Sequence, residues 1–232
     1  MGQGPDSPEG GRQIWAAAGA LLSGCLLLAS YPPYGMAWAA WFALVPLLVV
    51  WRARPGFPLA AATIAAGVLW GGALFYPLLF VEGADIATRV GGFLLVTGTV
   101  AAFLTLFCLG FSWVSARFAA FWPAILLAPA LWITLEYALR NLAAGFSVYF
   151  GVTQWASPPV LAIAAAGGIH AVSGAVVGAN GLLALAAEQA FAHLRGLRCL
   201  SPPPSRSPGR ARPAGALLAV LGTAAIALWV LA

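Results

Sequence analysis

The chain has 232 residues, of which 62% are hydrophobic and only 7% are charged, and its mean hydropathy is +0.93. A soluble domain is nearer half apolar and a quarter charged, so this chain has too few polar side chains to cover a surface in water. The formal net charge of +5 comes from arginine alone, because the sequence contains no lysine. These values exclude a soluble globular protein and indicate an integral membrane protein.

Continuous apolar runs make up most of the chain and predict its fold class. A membrane-spanning helix needs about 20 mostly apolar residues, and backbone inside the hydrocarbon must satisfy its own hydrogen bonds. The runs also lack the alternating pattern of an outer-membrane barrel. The sequence therefore predicts an all-α integral membrane protein, a polytopic bundle of about seven transmembrane helices.

Residues 1–13 are polar and rich in glycine and proline, which predicts a disordered tail. A six-helix membrane domain is expected over residues 14–194, then a basic, proline-rich linker over 195–213 and a seventh helix over 214–232. The last run of the domain is longer than one crossing needs, so its start before Gly167 and Gly168 is interpreted as a separate half-helix. The six apolar runs of the domain cover residues 14–30, 36–51, 59–81, 90–114, 121–139 and 163–194.

Arginine placement predicts the orientation, because Lys and Arg concentrate in cytoplasmic loops. With a cytoplasmic N-terminus and a periplasmic C-terminus, only Arg89 and Arg140 fall on the outer side. The other arginines then lie on the cytoplasmic side: Arg12, Arg52, Arg54, Arg117, Arg195, Arg198, Arg206, Arg210 and Arg212.

The segment LSGC, which ends at Cys25, offers a competing interpretation as a lipoprotein signal in which Cys25 becomes lipidated. The apolar run continues past Cys25, and its flank carries Asp6 and Glu9 beside a single arginine, so the sequence favours an uncleaved helix. The three cysteines lack metal-ligand spacing, and no phosphate loop, zinc-protease or serine-hydrolase motif is present. No catalytic residue, metal, cofactor or nucleic-acid partner is predicted for this chain.

Glu136 and Arg140 stand inside an otherwise apolar, aromatic run, spaced i, i+4 with the acid first. That order favours an ion pair along a helix, and long side chains can reach the membrane interface, so the two residues can simply anchor the helix end. The other interpretation is functional, because ionisable groups are costly in a membrane and each one is a functional hypothesis. The sequence leaves both interpretations open.

The segment after Arg140 is aromatic and broken by glycine and proline, so residues 145–159 are predicted to form an interfacial or re-entrant loop. We expect this loop to face lipid or a docked partner at the outer surface. His170 and Asn180, in the next run, are expected to make structural hydrogen bonds and not to act in catalysis. The candidate outer-surface residues are Glu136, Arg140, Gly145, Phe146, Tyr149, Gln154 and Trp155.

Several of these segments together resemble the membrane domain of the apolipoprotein N-acyltransferase family, over residues 30–194. The family pattern has a Pro-Pro-aromatic-Gly turn, a Trp-x-x-x-Glu-x-x-x-Arg helix, a Gly-Phe loop, a Gly-x-[Ser/Thr]-Gln turn and a Gly-Gly-bearing sixth helix. The loop here continues as Ser147-Val148, where the family usually has Pro-Trp. The matching positions are Pro32, Pro33, Tyr34 and Gly35, then Trp132, Glu136 and Arg140, then Gly145 and Phe146, then Gly151, Thr153 and Gln154, and last Gly167 and Gly168.

The resemblance implies transfer of an acyl chain from a phospholipid to the amino group of a lipoprotein, at the outer face of the bacterial inner membrane. It also implies that a periplasmic nitrilase-like domain holds a catalytic Glu-Lys-Cys triad. A chain without lysine cannot hold that triad, so this chain alone is expected to be inactive. The implied partners are phospholipid, lipoprotein and a nitrilase-like domain, in cis or in trans. Glu136 and Arg140 would then shape the outer loop without taking a chemical step.

Two other functions remain open from the sequence. The chain could be a non-enzymatic membrane scaffold or a lipid-binding relic of the family, and its loss would then leave lipoprotein N-acylation unchanged. A small-molecule transporter has less support, because the sequence shows no paired broken helices and no track of buried charges.

Overall fold

The computed structural model describes residues 8–53, 56–118, 122–142 and 148–194. The regular elements of these ranges are all helical, which confirms the predicted all-α class for the described part of the chain. Two 3₁₀ turns, Tyr76–Phe80 and Phe150–Gln154, accompany the α-helices. The helices are α1 (Pro8–Ser30), α2 (Ala37–Ala40), α3 (Val45–Ala53), α4 (Phe57–Phe75), α5 (Ile86–Ser115), α6 (Trp122–Leu142) and α7 (Pro158–Leu194).

The predicted runs and the observed helices agree in order but differ in length. Helix α1 begins at Pro8, inside the segment predicted to be a tail. The predicted linker and seventh helix, residues 195–232, lie outside the described residues. Within the described ranges, four segments are long and apolar enough to cross a membrane: Gln13–Ser30, Phe57–Phe80, Ile86–Ser115 and Pro158–Phe191. The chain is therefore a helical membrane protein.

Small residues let neighbouring helices approach each other closely. A Cβ atom placed on Gly67 of α4 would lie 2.6 Å from the Cα of Ala101 in α5, and one on Gly71 would lie 3.4 Å from the Cα of Thr97. The two helices therefore run antiparallel, with their backbones nearly in contact. Packing of this kind is typical of membrane helices, which gain little from the hydrophobic effect when they associate.

The second predicted run is not one helix. Pro46 has no N–H group, so the hydrogen-bond ladder of a continuous helix fails there, and the chain turns over residues 41–44 between α2 and α3. Asn180 of α7 satisfies the backbone at this break: its Oδ1 accepts from the Leu44 N–H at 2.8 Å and its Nδ2 donates to the Ala40 carbonyl at 2.8 Å. The prediction that Asn180 holds a neighbouring helix is confirmed.

Helix α7 consists of two parts joined at a break. Gly167 has φ −138° and ψ 15°, and Gly168 has φ 70° and ψ −174°, a conformation that side chains other than glycine rarely adopt. Residues 158–166, before the break, include no buried residue, whereas the part after it packs against α6 through Gly174, Gly178 and Gly181. The predicted half-helix is confirmed, and the break falls at the two glycines.

Helix α5 begins at a capped end. The Asp85 carboxylate accepts from the Thr88 hydroxyl at 2.6 Å and from the Thr88 N–H at 3.0 Å. These bonds favour the charged form and lower the pKa of this exposed carboxyl group from its usual 3.8. Its contribution to stability is complete above pH 3.8 and is lost as the pH falls below that value, because a protonated carboxyl no longer accepts both bonds.

Large aromatic side chains fill the core between the helices. Trp51, Trp70, Trp132, Phe107 and Phe111 are each at most 2% exposed. Within the described ranges, one acidic side chain lies among the fully buried residues, and its neighbours define the candidate site.

Candidate functional site

Glu136 lies near the C-terminal end of α6 and is completely buried, with 0% of its surface exposed. Its Oε1 accepts hydrogen bonds from the Trp132 indole N–H at 2.7 Å and from the Phe150 backbone N–H at 2.8 Å. Its Oε2 lies 3.2 Å from Nδ1 of His170 in α7. One carboxylate therefore joins α6, α7 and the turn Phe150–Gln154, which we call the buried turn.

The buried turn is held by side chains from other helices. Besides the Glu136 bond to its first residue, the Gly151 N–H donates to the Ser173 hydroxyl of α7 at 2.9 Å. Within the turn, the Thr153 hydroxyl donates to the Phe150 carbonyl at 2.8 Å. Irregular backbone that is buried in the protein needs such partners, because no water reaches it.

Gln154, the last residue of the buried turn, ties it to α2. Its Oε1 accepts from the Trp41 indole N–H at 3.1 Å, and its Nε2 donates to the Ala37 carbonyl at 2.8 Å. Just before the turn, the Tyr149 carbonyl accepts from the Tyr31 hydroxyl at 3.0 Å. The end of α1, the start of α2 and the buried turn therefore lie at the same end of the bundle, which we call the turn end.

Aromatic rings hold the Trp132 indole against Glu136. The rings of Phe103 and Phe107 meet Trp132 edge-on, at centroid distances of 4.9 and 4.8 Å, and Phe150 lies 5.3 Å away on a tilted plane. Such pairs add stability beyond their buried area. They also keep water away from the Glu136 hydrogen bonds, which strengthens those bonds.

His170 is the second ionisable residue of the site and is only 9% exposed. The Tyr149 and Tyr137 rings flank its imidazole, at centroid distances of 5.3 and 6.4 Å. Nδ1 faces Glu136, whereas Nε2 is buried and has no hydrogen-bond partner among the described residues. The expected structural hydrogen bond of His170 is confirmed, and its partner is Glu136.

Arg140 does not share this environment. Its side chain is exposed, and the ion pair that Glu136 forms within the described residues is with His170. The interpretation of Glu136 and Arg140 as a mutually satisfied i, i+4 pair is therefore wrong. The physical reason is position: Glu136 faces the core, where fixed donors surround it, whereas the long Arg140 side chain keeps its charge at the surface.

The other predicted outer-surface residues fall into three groups. Tyr149 and Gln154 lie at the turn end, and Gln154 is buried. Trp155 is also there but is 65% exposed. Gly145 and Phe146 lie outside the described residues. The predicted loop over 145–159 contains the buried turn in its described part, so it is more deeply packed than an interfacial loop.

Several residues of the site were not in the predicted outer-surface set. Trp132 stands one helical turn before Glu136 and was named only as part of the family pattern. Tyr31, His170 and Ser173 are distant in sequence, and nothing in the local pattern links them to Glu136 or to the buried turn.

The chemistry of the site is hydrogen bonding around a buried carboxylate and an imidazole. In the described ranges, no group of three or more His, Cys, Asp or Glu side chains is arranged to hold a metal ion. The arrangement is suited to fixing backbone and to presenting the exposed side chains next to it.

The family model described as the apolipoprotein N-acyltransferase N-terminal domain matches residues 23–182, more than half of the chain. This chain belongs to the apolipoprotein N-acyltransferase family. The match covers Glu136, His170, Asn180 and the buried turn, and it confirms the resemblance seen in the sequence.

A protein of Geobacter metallireducens named apolipoprotein N-acyltransferase is 28% identical to this chain over 191 residues. The aligned part covers 80% of this chain and 34% of that protein. The chain thus spans about a third of the length of this curated relative of the apolipoprotein N-acyltransferase family.

The close contact of the buried turn with α7 gives a testable prediction. In Gly151→Ala, the new Cβ would lie 2.7 Å from the Ile169 carbonyl oxygen and 3.0 Å from the Val172 Cβ. Because a backbone oxygen cannot move aside easily, we expect a loss of about 1–3 kcal/mol in the free energy of unfolding, the usual cost of overpacking. Thermal unfolding in detergent micelles measures it.

The matched control is Gly98→Ala in α5, where an added Cβ meets nothing within 4 Å. Alanine is the better helix former, so this control should be neutral or slightly stabilising. Equal melting temperatures for the two variants would contradict the tight fit at Gly151.

Proposed function

We propose that this chain is the membrane module of an apolipoprotein N-acyltransferase, which transfers an acyl chain from a phospholipid to the amino terminus of a lipoprotein during its maturation. The family match over residues 23–182 carries the proposal. The name of the Geobacter metallireducens relative supports the reaction class.

The proposed module is a multi-pass protein of the bacterial inner membrane with about seven helices, a cytoplasmic N-terminus and a periplasmic C-terminus. The distribution of arginines and the antiparallel packing of α4 against α5 support this topology. The turn end then faces the periplasm, where the family reaction takes place.

The role proposed for the turn end is to present a fixed surface to lipid, lipoprotein or a catalytic domain. Glu136 and Gln154 hold the two ends of the buried turn, and the exposed residues Val152 and Trp155 lie in or beside it. An exposed tryptophan on a fixed support suits an interface with lipid or protein. Arg140, Gly145, Phe146 and Tyr149 complete the proposed surface.

The chemical step is assigned to a nitrilase-like domain with a Glu-Lys-Cys triad, joined to this module in cis or bound in trans. The support is compositional, because this chain contains no lysine. The module alone is therefore proposed to be inactive.

A complementation experiment tests the proposal. Bacteria depleted of their own apolipoprotein N-acyltransferase receive this chain alone, a family nitrilase-like domain alone, or both together as a fusion. Mass spectrometry of lipoprotein N-terminal peptides then counts the acyl chains. We expect triacylated peptides from the fusion and diacylated peptides from either part alone. A fusion that reaches the membrane but yields only diacylated peptides would refute the proposal.

A second candidate is a non-enzymatic scaffold or lipid-binding relic of the family, which the absence of lysine also favours. Deleting the gene in its own host separates the two candidates. Unchanged N-acylation after deletion would favour the relic, and a rise in diacylated lipoproteins would favour the module.

A further inference from the structure

The two ring nitrogens of His170 differ in their hydrogen-bond partners. Nδ1 lies 3.2 Å from Glu136 Oε2, whereas Nε2 is buried and has no hydrogen-bond partner among the described residues. Buried polar atoms in native proteins nearly always have a partner, and an exception calls for an explanation such as an ion or ligand that belongs there.

The hydrogen bonds of Glu136 indicate which kind of partner is missing. Oε1 already accepts two N–H groups, so it carries no proton. If His170 carries a proton on Nδ1 alone, the pair leaves a net negative charge in the core, which is costly. The pair is neutral if both nitrogens carry protons, or if Oε2 carries the proton and donates to Nδ1, and in either case Nε2–H needs an acceptor. A hydrogen-bond acceptor at Nε2 therefore satisfies this nitrogen and allows the pair to be neutral.

The position of His170 favours an acceptor with negative charge. It is in the first turn after the Gly168 break, and the N-terminal end of a helix favours anions through its free N–H groups and its dipole. A Cβ on Gly168 would meet nothing within 4 Å, so the space beside the break is open. The His170 side chain is 11% exposed, which places the imidazole at the edge of the core.

We propose that His170 Nε2 donates a hydrogen bond to a phosphodiester oxygen of a membrane phospholipid at the break in α7. Glu136 fixes the orientation of the imidazole through Nδ1, and the rings of Tyr137 and Tyr149 flank it. The identity of this lipid as an acyl donor rests on the proposed function, whereas the binding itself does not.

Nitrogen NMR of the full chain tests the proposal directly. The chain has two histidines, so His193→Asn leaves His170 as the only one, and labelling with ¹⁵N-histidine then reports its ring alone. Spectra are recorded near neutral pH in maltoside micelles with dioctanoyl phosphatidylglycerol, with dioctanoylglycerol, or with inorganic phosphate. We expect only the phospholipid to move the Nε2 resonance to that of a hydrogen-bonded N–H.

The comparison ligands separate the sources of the effect. Dioctanoylglycerol has the same acyl chains without the phosphodiester, so an equal response to it would overturn the proposal. An equal response to inorganic phosphate would identify a site for a free anion and overturn the assignment to lipid. An unchanged Nε2 resonance with all three ligands would overturn it as well.

Two substitutions of His170 give an independent measurement. In His170→Asn the amide nitrogen stands near the former Nδ1 and can still meet Glu136, but nothing replaces Nε2. We expect its affinity for dioctanoyl phosphatidylglycerol to fall by about tenfold or more, since a hydrogen bond to a charged group is lost. His170→Gln, whose amide reaches the former Nε2 position, should lose less.

Native mass spectrometry of both variants measures the bound lipid, and their melting temperatures show that they are folded. A folded His170→Asn variant that binds as tightly as the unchanged chain would refute the proposal. Lipid binding that fails while complemented cells still N-acylate lipoproteins would refute this inference alone. Lipid binding without N-acylation would refute the proposed function alone.

Discussion

Glu136→Ala is expected to lower the free energy of unfolding by about 3–5 kcal/mol, because removing one side of a buried pair leaves its polar partners unsatisfied. The substitution leaves the Trp132 indole N–H, the Phe150 N–H and His170 Nδ1 without their buried partner. Thermal and denaturant unfolding in detergent micelles, followed by tryptophan fluorescence, measure the loss. The buried turn should become sensitive to proteases at the same time, because its first residue is no longer fixed.

Two further variants separate the hydrogen bonds of Glu136 from its charge. Glu136→Gln keeps an oxygen that can accept from Trp132 and Phe150, so its loss should be clearly smaller. Glu82→Ala removes an exposed carboxylate and should change stability by no more than about 0.5 kcal/mol. If Glu136→Ala unfolds at the same temperature as Glu82→Ala, the Glu136 carboxylate does not stabilise the turn end.

Asn180→Leu is the second substitution for which we expect a large effect, about 2–6 kcal/mol. Leucine keeps the branched shape and the number of side-chain heavy atoms, but the Leu44 N–H and the Ala40 carbonyl each lose a buried partner, at about 1–3 kcal/mol per group. Hydrogen exchange provides a local measurement, because the Leu44 amide proton should exchange faster in the variant than in the unchanged chain.

Asn141→Leu is the control, since Asn141 is exposed and its amide donates to the Tyr137 carbonyl at 2.7 Å on the same helix. A surface change of this kind should stay within about 0.5 kcal/mol. Unchanged protection of the Leu44 amide in Asn180→Leu would show that the break between α2 and α3 does not depend on α7.

The helices could be predicted from the sequence because hydrocarbon leaves the backbone few alternatives. The break in α7 was also predictable, since it falls at the adjacent residues Gly167 and Gly168. The break between α2 and α3 was not predicted, although Pro46 lies inside the run. A proline in a membrane helix is often tolerated when neighbours satisfy the freed groups, so the sequence alone does not show whether the helix continues.

The candidate site was predictable only in part, because most of its contacts join residues that are distant in sequence. Glu136 and Gln154 could be singled out as polar residues in an apolar region, and both belong to the site. The spacing favoured Arg140 as the partner of Glu136, and the structure shows His170 instead, because spacing along one helix gives local neighbours only. His170 lies 34 residues away, and its contact with Glu136 depends on how α6 packs against α7.

The full burial of Glu136 in α6 has a consequence for how the chain enters its membrane. Helix α6 is not among the four described segments that are apolar enough to cross on their own, and a charged side chain in a membrane helix adds to the cost of insertion, although less near the helix end, where Glu136 lies, than at its centre. His170, which contacts the Glu136 carboxylate, is synthesised later, in α7. Insertion of α6 is therefore more favourable as a hairpin with α7 than as a single helix.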